Sequence, residues 1–519
     1  MDNPLTSFFN PLLGSEFDRI EQYLKYYATT KPNAEACVFD EQRLTYSALL
    51  NEVNICANAL KHAGVVSGDF VATHSPPGIH FLVTFLATQV CGATWVGINP
   101  KYQEEEIAYV IKDAKPKVVF ASFKIGSRNY SKDFVKIKNE VTTDFELIAF
   151  EEVVKCDDFQ SYSSFLKDDN STILISNPSS NSMMVYTSGS TGQPKGALLP
   201  HKALIQAARI RYSVWHGEPM RTLLNVPINH IGGAGDITCT TLIGGGTLVC
   251  MEKFDPLETL KIIEKEKLTF LYQTPTQLQM TFFLPEVNTY NYSSLQAVVW
   301  SGARASQPLI ERLATYFKGK LATDYSMTES VGPVTMTPLT NDKEILGNSV
   351  GWVVPDRHVK IQSESSEITI QDEFVMAGYY NRPEATKSTI EKNGLLHTND
   401  IGELKSNGTI VLTGRMSNMF KSGGYNIYPA EIEMILEEYD TIVSAAVIPT
   451  PDDLWGETGH AFIITKKNTT IDALDVKKYC QTKLANYKIP KSFTVIDSMP
   501  KLAIGKIDRK ALQLQINNI

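Results

Sequence analysis

Hydrophobic positions along the chain recur at spacings that predict alternating helices and strands. Ile20, Tyr23, Leu24 and Tyr27 fall at positions i, i+3, i+4 and i+7, which places them on one face of a helix. Short apolar runs such as LVTFLA, KVVFA, TFLYQ and QAVVWSG are typical of buried strands or strand–helix junctions. This alternation predicts an α/β fold in which helices cover mostly parallel sheets.

A polar, glycine-rich segment near the C-terminal end divides this pattern into two parts. Residues 414–433 read GRMSNMFKSGGYNIYPAEIE, and a fresh alternation of helix, strand, strand and helix follows them. The remaining length suffices for a small α/β domain. The sequence therefore predicts a large N-terminal domain over residues 1–414, a hinge over residues 415–420 and a small mobile C-terminal lid domain over residues 421–519.

Composition and charge exclude several classes of protein. The 519 residues are 43% hydrophobic and 10% aromatic, which is typical of a globular chain and not of a disordered one. The net charge of −8 does not favour nucleic-acid binding. Seven cysteines without a C-x-x-C pair favour a reducing compartment over a disulfide framework.

Signals that would direct the chain to secretion or into a membrane are weak. The N-terminus lacks the basic start of a secretory signal. The longest uncharged stretch, residues 81–100, contains several polar residues, so we interpret it as a buried helix, a turn and a strand. We therefore expect a cytoplasmic protein without a transmembrane segment.

The strongest chemical motif is MMVYTSGSTGQPKGALLPH, over residues 183–201. Its glycines allow a tight turn close to a ligand, and its backbone N–H groups, its hydroxyls and Lys195 can hold phosphate oxygens. The spacing does not fit a Walker A loop, and G-x-S-x-G fails at Ser188. On composition alone, the motif is equally compatible with a flexible hydrophilic loop.

Four further motifs carry reactive side chains, each with a purely structural alternative. His230 in NVPINHIGG can be a structural histidine, and Glu329 in TDYSMTES can be an early-turn acid or a Mg²⁺ ligand. Asp400 in LHTNDIGEL can form an Asx turn or accept from a ribose diol. Lys506 in PKLAIGKIDRKAL can be an ordinary surface charge.

Taken together and in this order, the motifs resemble those of the acyl-adenylate-forming superfamily, which comprises acyl-CoA synthetases, adenylation domains and beetle luciferases. YTSGSTGQPKG matches the phosphate loop of that superfamily almost letter for letter, and the resemblance extends from about Tyr27 to Leu512. The resemblance implies ATP, Mg²⁺ and coenzyme A as ligands and a lid that alternates between two positions.

The resemblance also implies roles for individual residues. Catalytic roles fall to Lys506, His230, Thr328 and Glu329, and Glu329 holds the metal. ATP or AMP is bound by Thr187, Ser188, Gly189, Ser190, Thr191, Gly192, Lys195, Gly302, Ala303, Asp324, Tyr325, Asp400 and Arg415. The acyl pocket is formed by His230, Gly232, Gly233, Ser326 and Gly332. Coenzyme A is contacted by Gly423, Gly424, Tyr487 and Lys491, and the hinge is Ser417.

Four residues depart from the superfamily pattern. Asp324 precedes the tyrosine where many relatives have a small or amide residue, and Ser417 occupies the hinge position that is often acidic or lysine. Ser326 occupies a position where glycine is usual, so its side chain is expected to shorten or tilt the acyl pocket. Ile504 occupies a position before the glycine of the catalytic-lysine turn where threonine is usual. None of these four changes removes a group that handles ATP.

The leading hypothesis is an ATP-dependent acyl-CoA synthetase that activates a medium- or long-chain fatty acid through an acyl-AMP intermediate. The alternatives are an aryl-acid–CoA ligase, a stand-alone adenylation enzyme that loads a carrier protein, an acyl-AMP ligase, a luciferase-like oxygenase and a nucleotide-binding protein without catalysis. The presence of Glu329 and Lys506 argues against a nucleotide-binding protein without catalysis. The expected partners are small molecules and no nucleic acid, and the sequence leaves a homodimer open.

Overall fold

The described part of the chain forms two large sheets, two smaller ones and a two-stranded sheet. The computed structural model describes residues 3–8, 17–141, 144–152, 158–166, 180–187, 193–422, 425–467, 469–502 and 506–516. Its strands are β1 (Glu35–Phe39), β2 (Gln42–Thr45), β3 (Phe70–His74), β4 (Thr94–Ile98), β5 (Val118–Ala121), β6 (Lys124–Ile125), β7 (Arg128–Asn129), β8 (Glu146–Ala149), β9 (Gln160–Ser161), β10 (Asn181–Thr187), β11 (Lys195–Pro200), β12 (Arg221–Leu224), β13 (Thr247–Cys250), β14 (Phe270–Gln273), β15 (Ala297–Trp300), β16 (Leu321–Ser326), β17 (Pro333–Met336), β18 (Trp352–Val353), β19 (Val359–Ile361), β20 (Glu367–Gln371), β21 (Gly378–Tyr379), β22 (Leu395–Leu404), β23 (Ile410–Arg415), β24 (Phe420–Ser422), β25 (Tyr425–Ile427), β26 (Ile442–Asp452), β27 (Gly456–Thr465) and β28 (Ser492–Val495).

Helices connect most of these strands. They are α1 (Ile20–Thr30), α2 (Tyr46–His62), α3 (Ile79–Val90), α4 (Glu104–Ala114), α5 (Ser131–Glu140), α6 (Tyr162–Phe165), α7 (His201–Trp215), α8 (Thr240–Ile243), α9 (Pro256–Lys265), α10 (Pro275–Phe282), α11 (Gln307–Tyr316), α12 (Lys343–Asn348), α13 (Pro383–Thr389), α14 (Pro429–Glu437), α15 (Ala473–Lys483) and α16 (Arg509–Ile516). A π-helix over Gly232–Cys239 leads into α8. Short 3-10 turns occur at Pro4–Phe8, Pro285–Thr289, Met416–Asn418 and Asn486–Lys488.

The first large sheet has the strand order β18-β17-β16-β15-β14-β12-β13-β1-β2. Its central strands, from β16 to β1, pair in parallel. The second large sheet has the order β21-β11-β10-β4-β3-β5-β8-β9 and is parallel from β10 to β9. The prediction of mostly parallel sheets covered by helices is therefore confirmed.

Apolar side chains on both faces of each large sheet explain why the strands read as continuous apolar runs. One core lies between the two sheets and includes Trp95, Trp215 and Leu224. A second core lies between the first sheet and helices α9, α10 and α11, and it includes Leu223 and Leu271. Because side chains alternate along a strand, Leu223 and Leu224 enter different cores.

The carboxyl ends of four neighbouring strands meet at one edge of the first sheet. β12 leads to Asn225, β14 ends at Gln273, β15 ends at Trp300 and β16 ends with Tyr325 and Ser326. In open parallel sheets this edge is where ligands bind. Three of the five chemical motifs follow strands that end at this edge or at the equivalent edge of the second sheet.

The C-terminal part of the chain has a sheet and an apolar core of its own. β24, β25, β26, β27 and β28 form this sheet, and α14 and α15 pack on it around Ile432, Leu436, Ala461 and Val476. The predicted helix, two strands and helix after the glycine-rich segment correspond to α14, β26, β27 and α15. The protein thus has a large N-terminal and a small C-terminal α/β domain, whereas the limits at residues 414 and 421 stay a prediction.

The uncharged stretch over residues 81–100 contains most of α3, a turn and β4, as predicted. Nowhere in the described ranges does a helix reach the length and apolarity that spanning a membrane requires. The cysteines that the structure describes are free thiols and are buried.

Candidate active site

Three of the residues predicted to hold the nucleoside lie in contact. Asp400 on β22 and Arg415 on β23 are directly paired across an antiparallel ladder, and Arg415 Nε lies 3.2 Å from Asp400 Oδ1. The hydroxyl of Tyr325 donates to Asp400 Oδ2 at 2.7 Å. Burial raises the pKa of the Asp400 carboxyl, while the charge of Arg415 and the Tyr325 hydrogen bond oppose that effect. One carboxylate therefore joins an aromatic ring and a guanidinium.

Tyr379 connects Glu329 to the strand that follows the phosphate loop. Its hydroxyl donates to Glu329 Oε1 at 2.7 Å, and the Lys195 ammonium lies 4.9 Å from its ring centre. Tyr379 lies on β21, which pairs with β11, so the tyrosine reaches Glu329 from the edge of the second sheet. The sequence did not predict Tyr379 as a site residue. Its contact with Glu329 becomes evident only from the pairing of β21 with β11.

Lys506 faces the same group of residues. It lies directly before Ile507, which forms an antiparallel bridge with Lys501, and its carbonyl accepts a hydrogen bond from the Leu502 N–H. Although one side of Lys506 stays exposed, loss of surrounding water lowers the pKa of its ammonium. The charge of Arg415 lowers this pKa further, whereas Asp400 and Glu329 raise it. The lysine predicted to be catalytic is thus within electrostatic reach of both predicted anions.

His230 lies beside Lys506 at the start of the π-helix. Its Nδ1 accepts a hydrogen bond from the Gly232 N–H at 3.1 Å, which leaves Nε2 to carry the proton of the neutral ring. Burial, together with the positive charge of Lys506, lowers the pKa of His230 to about 4. The ring is therefore neutral at physiological pH and offers an N–H donor.

The glycines assigned to the acyl pocket allow close packing. A Cβ at Gly233 would lie 2.6 Å from the Pro227 carbonyl oxygen, and one at Gly332 would lie 2.4 Å from the Ala207 Cβ. Gly232 binds His230 through its N–H, and Ser326 ends β16 opposite Pro333. Gly332 thus packs against α7. That His230, Gly232, Gly233, Ser326 and Gly332 form an acyl pocket stays a prediction.

Gly302 and Ala303 lie on an exposed turn after β15. Gly302 has φ +82°, and no atom lies within 4 Å of a Cβ built on it. The turn therefore leaves open space in front of the backbone, as a base-binding position requires. Thr328 is buried directly before Glu329, and its carbonyl accepts from the Val331 N–H.

The structure contradicts the expected nucleotide contact for the side chain of Asp324. This carboxylate is fully buried, accepts a hydrogen bond from the Tyr272 hydroxyl at 3.2 Å and lies 3.4 Å from Arg211 Nη2. Arg211 Nη1 in turn lies 2.8 Å from Asp236 Oδ1. Residues alternate along β16, so Asp324 faces the core while Tyr325 faces the site. The side chain of Asp324 therefore holds β16 in place from the face of the sheet opposite Tyr325.

Tyr487 and Lys491, the residues assigned to coenzyme A, each pair with an exposed aromatic ring. Tyr487 stacks on Tyr425 with ring centres 4.4 Å apart, and the Lys491 ammonium lies 5.5 Å from the Trp455 ring centre. Trp455 is 41% exposed at the tip of the β26–β27 hairpin. The aromatic partners were not predicted from the sequence. Their exposure is unusual for large aromatic side chains and is compatible with a ligand surface.

Several predicted residues lie outside the described part of the chain. These are Ser188, Gly189, Ser190, Thr191 and Gly192 of the phosphate loop and Gly423 and Gly424 of the coenzyme A site. The backbone of Ser417 lies in the 3-10 turn Met416–Asn418, directly after β23. The strands that flank the phosphate loop, β10 and β11, are paired from Thr187 and Lys195 outward.

Comparison with known proteins gives the family. The sequence profile described as "AMP-binding enzyme" matches residues 24–380, and that of the "AMP-binding enzyme C-terminal domain" matches residues 431–506. The chain belongs to the AMP-binding enzyme family. The resemblance to the acyl-adenylate-forming superfamily is thereby confirmed.

Curated relatives and solved structures extend over nearly the whole chain. A 3-[(3aS,4S,7aS)-7a-methyl-1,5-dioxo-octahydro-1H-inden-4-yl]propanoyl:CoA ligase of Rhodococcus jostii is 31% identical over 91% of this chain and 93% of its own length. A long-chain-fatty-acid–CoA ligase of Bacillus subtilis is 28% identical over 95% of this chain and 94% of its own length. The crystal structure of ATP-bound MatB from Rhodopseudomonas palustris has a TM-score of 0.85 at 24% identity, covers 96% of this chain and 99% of that one, and shows the shared fold.

Proposed function

We propose that this protein is an ATP-dependent, AMP-forming acid–CoA ligase. The observation that carries the proposal is that His230, Glu329 and the Asp400–Arg415 pair all lie within electrostatic reach of Lys506. These groups come from both domains and from motifs far apart in the sequence. Two relatives that cover almost the entire chain are CoA ligases for carboxylic acids, which further supports the proposal.

The first half-reaction joins two anions, so the site must supply positive charge. A carboxylate oxygen of the acid attacks the α-phosphorus of ATP, the new O–P bond forms, and the bond to pyrophosphate breaks. Lys506 neutralises charge on the carboxylate and the α-phosphate as this happens, and Lys195 does so near the outer phosphates. Tyr325, Asp400 and Arg415 orient the nucleoside, and orientation supplies a further share of the rate.

The residues present fit one magnesium ion bound together with ATP. Glu329 uses Oε1 to accept from Tyr379 and keeps Oε2 for a cation, and Mg²⁺ commonly binds one or two carboxylates plus substrate phosphates. The described residues contain no cluster of three or more His, Cys, Asp or Glu side chains suited to a metal. Glu329 would therefore hold the ion alongside the phosphates, where the ion neutralises their charge.

The second half-reaction requires the lid to move. The thiol of coenzyme A attacks the acyl carbon, the C–S bond forms, AMP leaves with the C–O bond electrons, and the thiol proton is released. Lys506 lies in the path of that attack while it serves the first step. We therefore keep the expectation that residues 421–519 rotate about Ser417, within the domain limits predicted above, to bring Gly424 to the acyl carbon. Tyr487, Lys491 and the unpredicted Trp455 are then available for the nucleotide end of coenzyme A.

For the acid, we infer a medium- or long-chain aliphatic substrate, with an aryl acid as the alternative. The glycines of the Gly232–Cys239 π-helix and the neutral His230 present little charge to the acyl group. An amino acid destined for a carrier protein is disfavoured, because Asp236, the nearest carboxylate to that region, is already bound to Arg211. It is therefore not free to pair with an α-amine.

The experiment measures CoA thioester formation by mass spectrometry with ATP, Mg²⁺ and a panel of straight-chain and aryl acids. We expect an ATP-dependent acyl-CoA together with AMP and pyrophosphate. Acyl-AMP without thioester would move the function to carrier-protein loading. ATP binding without either product for any acid would contradict the proposal.

A further inference from the structure

A carboxylate on α4 joins two segments of the chain at the phosphate end of the site. The Tyr186 hydroxyl, near the end of β10, donates to Asp113 Oδ2 at 2.9 Å. Arg382 Nη2, between β21 and α13, donates to the other carboxylate oxygen, Asp113 Oδ1, at 2.7 Å. The side chain of Asp113 is only 11% exposed. Asp113 therefore uses both of its oxygens to hold β10 and the chain after β21 against one helix.

The local structure of α4 does not favour an aspartate at this position. Asp113 lies in the last turn of the helix, where the helix dipole disfavours a negative charge. Aspartate is also a weak helix former. An unfavourable local choice is explained when a tertiary contact compensates for it, and Tyr186 and Arg382 supply that contact.

A second side chain of α4 extends this contact to β11. Tyr109 precedes Asp113 by four residues, so both lie on the same face of the helix. The Tyr109 hydroxyl donates to the Pro194 carbonyl at 2.6 Å and accepts from Arg382 Nη2 at 3.4 Å. Pro194 directly precedes Lys195, the first residue of β11. The helix α4 therefore holds the start of β11 as well as the end of β10.

The backbone of Arg382 carries the contact onward to the predicted metal ligand. Its N–H donates to the Tyr379 carbonyl at 3.2 Å, and the Tyr379 hydroxyl donates to Glu329 Oε1. The Lys195 ammonium lies 4.9 Å from the centre of the Tyr379 ring. The cation and the carboxylate that serve the phosphates are thus both connected to α4, the first through Pro194 and the second through Tyr379.

We infer that Asp113 and Arg382 are positioning residues for the half-reaction that releases pyrophosphate. This inference rests on the proposed function and gives α4 the task of fixing the spacing between Lys195 and Glu329. A fixed spacing keeps the charges of the site aligned with the outer phosphates, so that ATP binding does not have to order them. Thioester formation starts from acyl-AMP, which has lost those phosphates, and therefore does not need the contact.

The test uses Asp113→Ala and Arg382→Ala in the full-length protein. Pyrophosphate release is measured without coenzyme A at varied concentrations of ATP and of the most active acid of the panel. We expect each variant to lower kcat/KM for ATP about tenfold, mainly through a higher KM for ATP. The KM for the acid should stay unchanged, because the contact lies at the phosphate end of the site.

Thioester formation from supplied acyl-AMP and coenzyme A separates positioning from folding. Both alanine variants should retain the wild-type rate of this step, even where their thermal midpoint is lowered. Asp133→Ala is the matched control, because Asp133 on α5 pairs with Arg128 at 2.8 Å and its side chain is 22% exposed. This variant also removes an enclosed aspartate–arginine pair, but it should leave the KM for ATP unchanged.

Three outcomes overturn the inference. The first is an equal loss of both half-reactions in the alanine variants, which assigns Asp113 and Arg382 to folding alone. The second is an unchanged kcat/KM for ATP in both variants. The third is an equal rise in the KM for ATP in Asp133→Ala, which makes the effect a general one. Absence of pyrophosphate release by the wild type with every acid would instead remove the ligase function itself, and the inference with it.

Discussion

Tyr379 donates its hydroxyl to Glu329 Oε1 at 2.7 Å while the Lys195 ammonium faces its ring at 4.9 Å. The tyrosine thereby links the carboxylate assigned to magnesium with the cation assigned to the phosphates. Burial and the charge of Glu329 raise the pKa of Tyr379 above its ordinary value, so it remains a donor throughout the working pH range. Its hydrogen bond fixes which Glu329 oxygen is free for a cation.

Replacement of Tyr379 by phenylalanine should slow adenylate formation. A hydrogen bond to a charged group contributes about 1.5–3 kcal/mol, so kcat/KM for pyrophosphate release should fall about 10- to 100-fold. The apparent affinity for Mg²⁺ in the presence of ATP should weaken as well. Tyr380→Phe is the control, because Tyr380 packs edge-on against Phe70 and lies next in the chain. Equal rates for Tyr379→Phe and the wild type would contradict this role.

Lys506→Ala should separate the two half-reactions. Loss of one preorganised charge-stabilising group costs about 100- to 1,000-fold in rate, which we expect for adenylate formation. Thioester formation from supplied acyl-AMP should be retained, because Lys506 does not serve that step. Lys501→Ala, on the exposed arm of the same turn, should affect neither step. An equal loss in both half-reactions would refute this division of labour.

The pH profile of adenylate formation should also report on Lys506. Its pKa lies below the ordinary value of 10.5, since lost hydration and Arg415 disfavour the charged form. Lys506 therefore loses its proton at a lower pH than an ordinary lysine would. Adenylate formation loses the charge stabilisation that Lys506 provides at the same pH. Stopped assays of pyrophosphate release across the alkaline range will show this decline. A rate that stays level up to pH 10.5 would be inconsistent with it.

Arg211→Met should strongly destabilise the large domain. Arg211 is fully buried between Asp236 and Asp324, and its removal leaves two carboxylates buried without a cation. Breaking a buried ion pair costs about 3–5 kcal/mol, which urea unfolding can measure. Lys202→Met, on the same helix but exposed and 3.8 Å from Glu373, should change the free energy of unfolding by less than about 0.5 kcal/mol. Similar values for both variants would show that the buried network contributes nothing.

His397 should make stability depend on pH near neutrality. Its Nδ1 lies 3.0 Å from Glu367 Oε2 and its Nε2 lies 2.9 Å from Glu391 Oε1, and the hydrogen bond to Glu367 is the main cause of its raised pKa. The folded state thus binds the proton more tightly than the unfolded state, whose histidine titrates near the ordinary 6.5. The stabilisation is present below that pH and is lost as the pH rises through the raised value. Unfolding of His397→Gln should lack this dependence, whereas the exposed His358→Gln variant should keep it.

The sequence predicted the fold class and the chemical groups because both depend on local patterns. Apolar runs marked the buried parallel strands, and residues 81–100 were correctly read as a helix, a turn and a strand. Five short motifs contained Lys195, His230, Glu329, Asp400 and Lys506, and the structure brings His230, Glu329 and Asp400 each into electrostatic reach of Lys506.

Contacts between distant segments decided the rest. Tyr379 became a partner of Glu329 only because β21 pairs with β11, and the order of the residues within AGYYNRP gives no sign of this. Arg211 on α7 is enclosed by Asp236 and Asp324, which come from two other segments of the chain. Local sequence thus determined which elements form and which chemistry is present, because helix and strand periodicity act over a few residues. Only the tertiary structure decided which groups meet, because burial and pairing depend on segments that are far apart in the sequence.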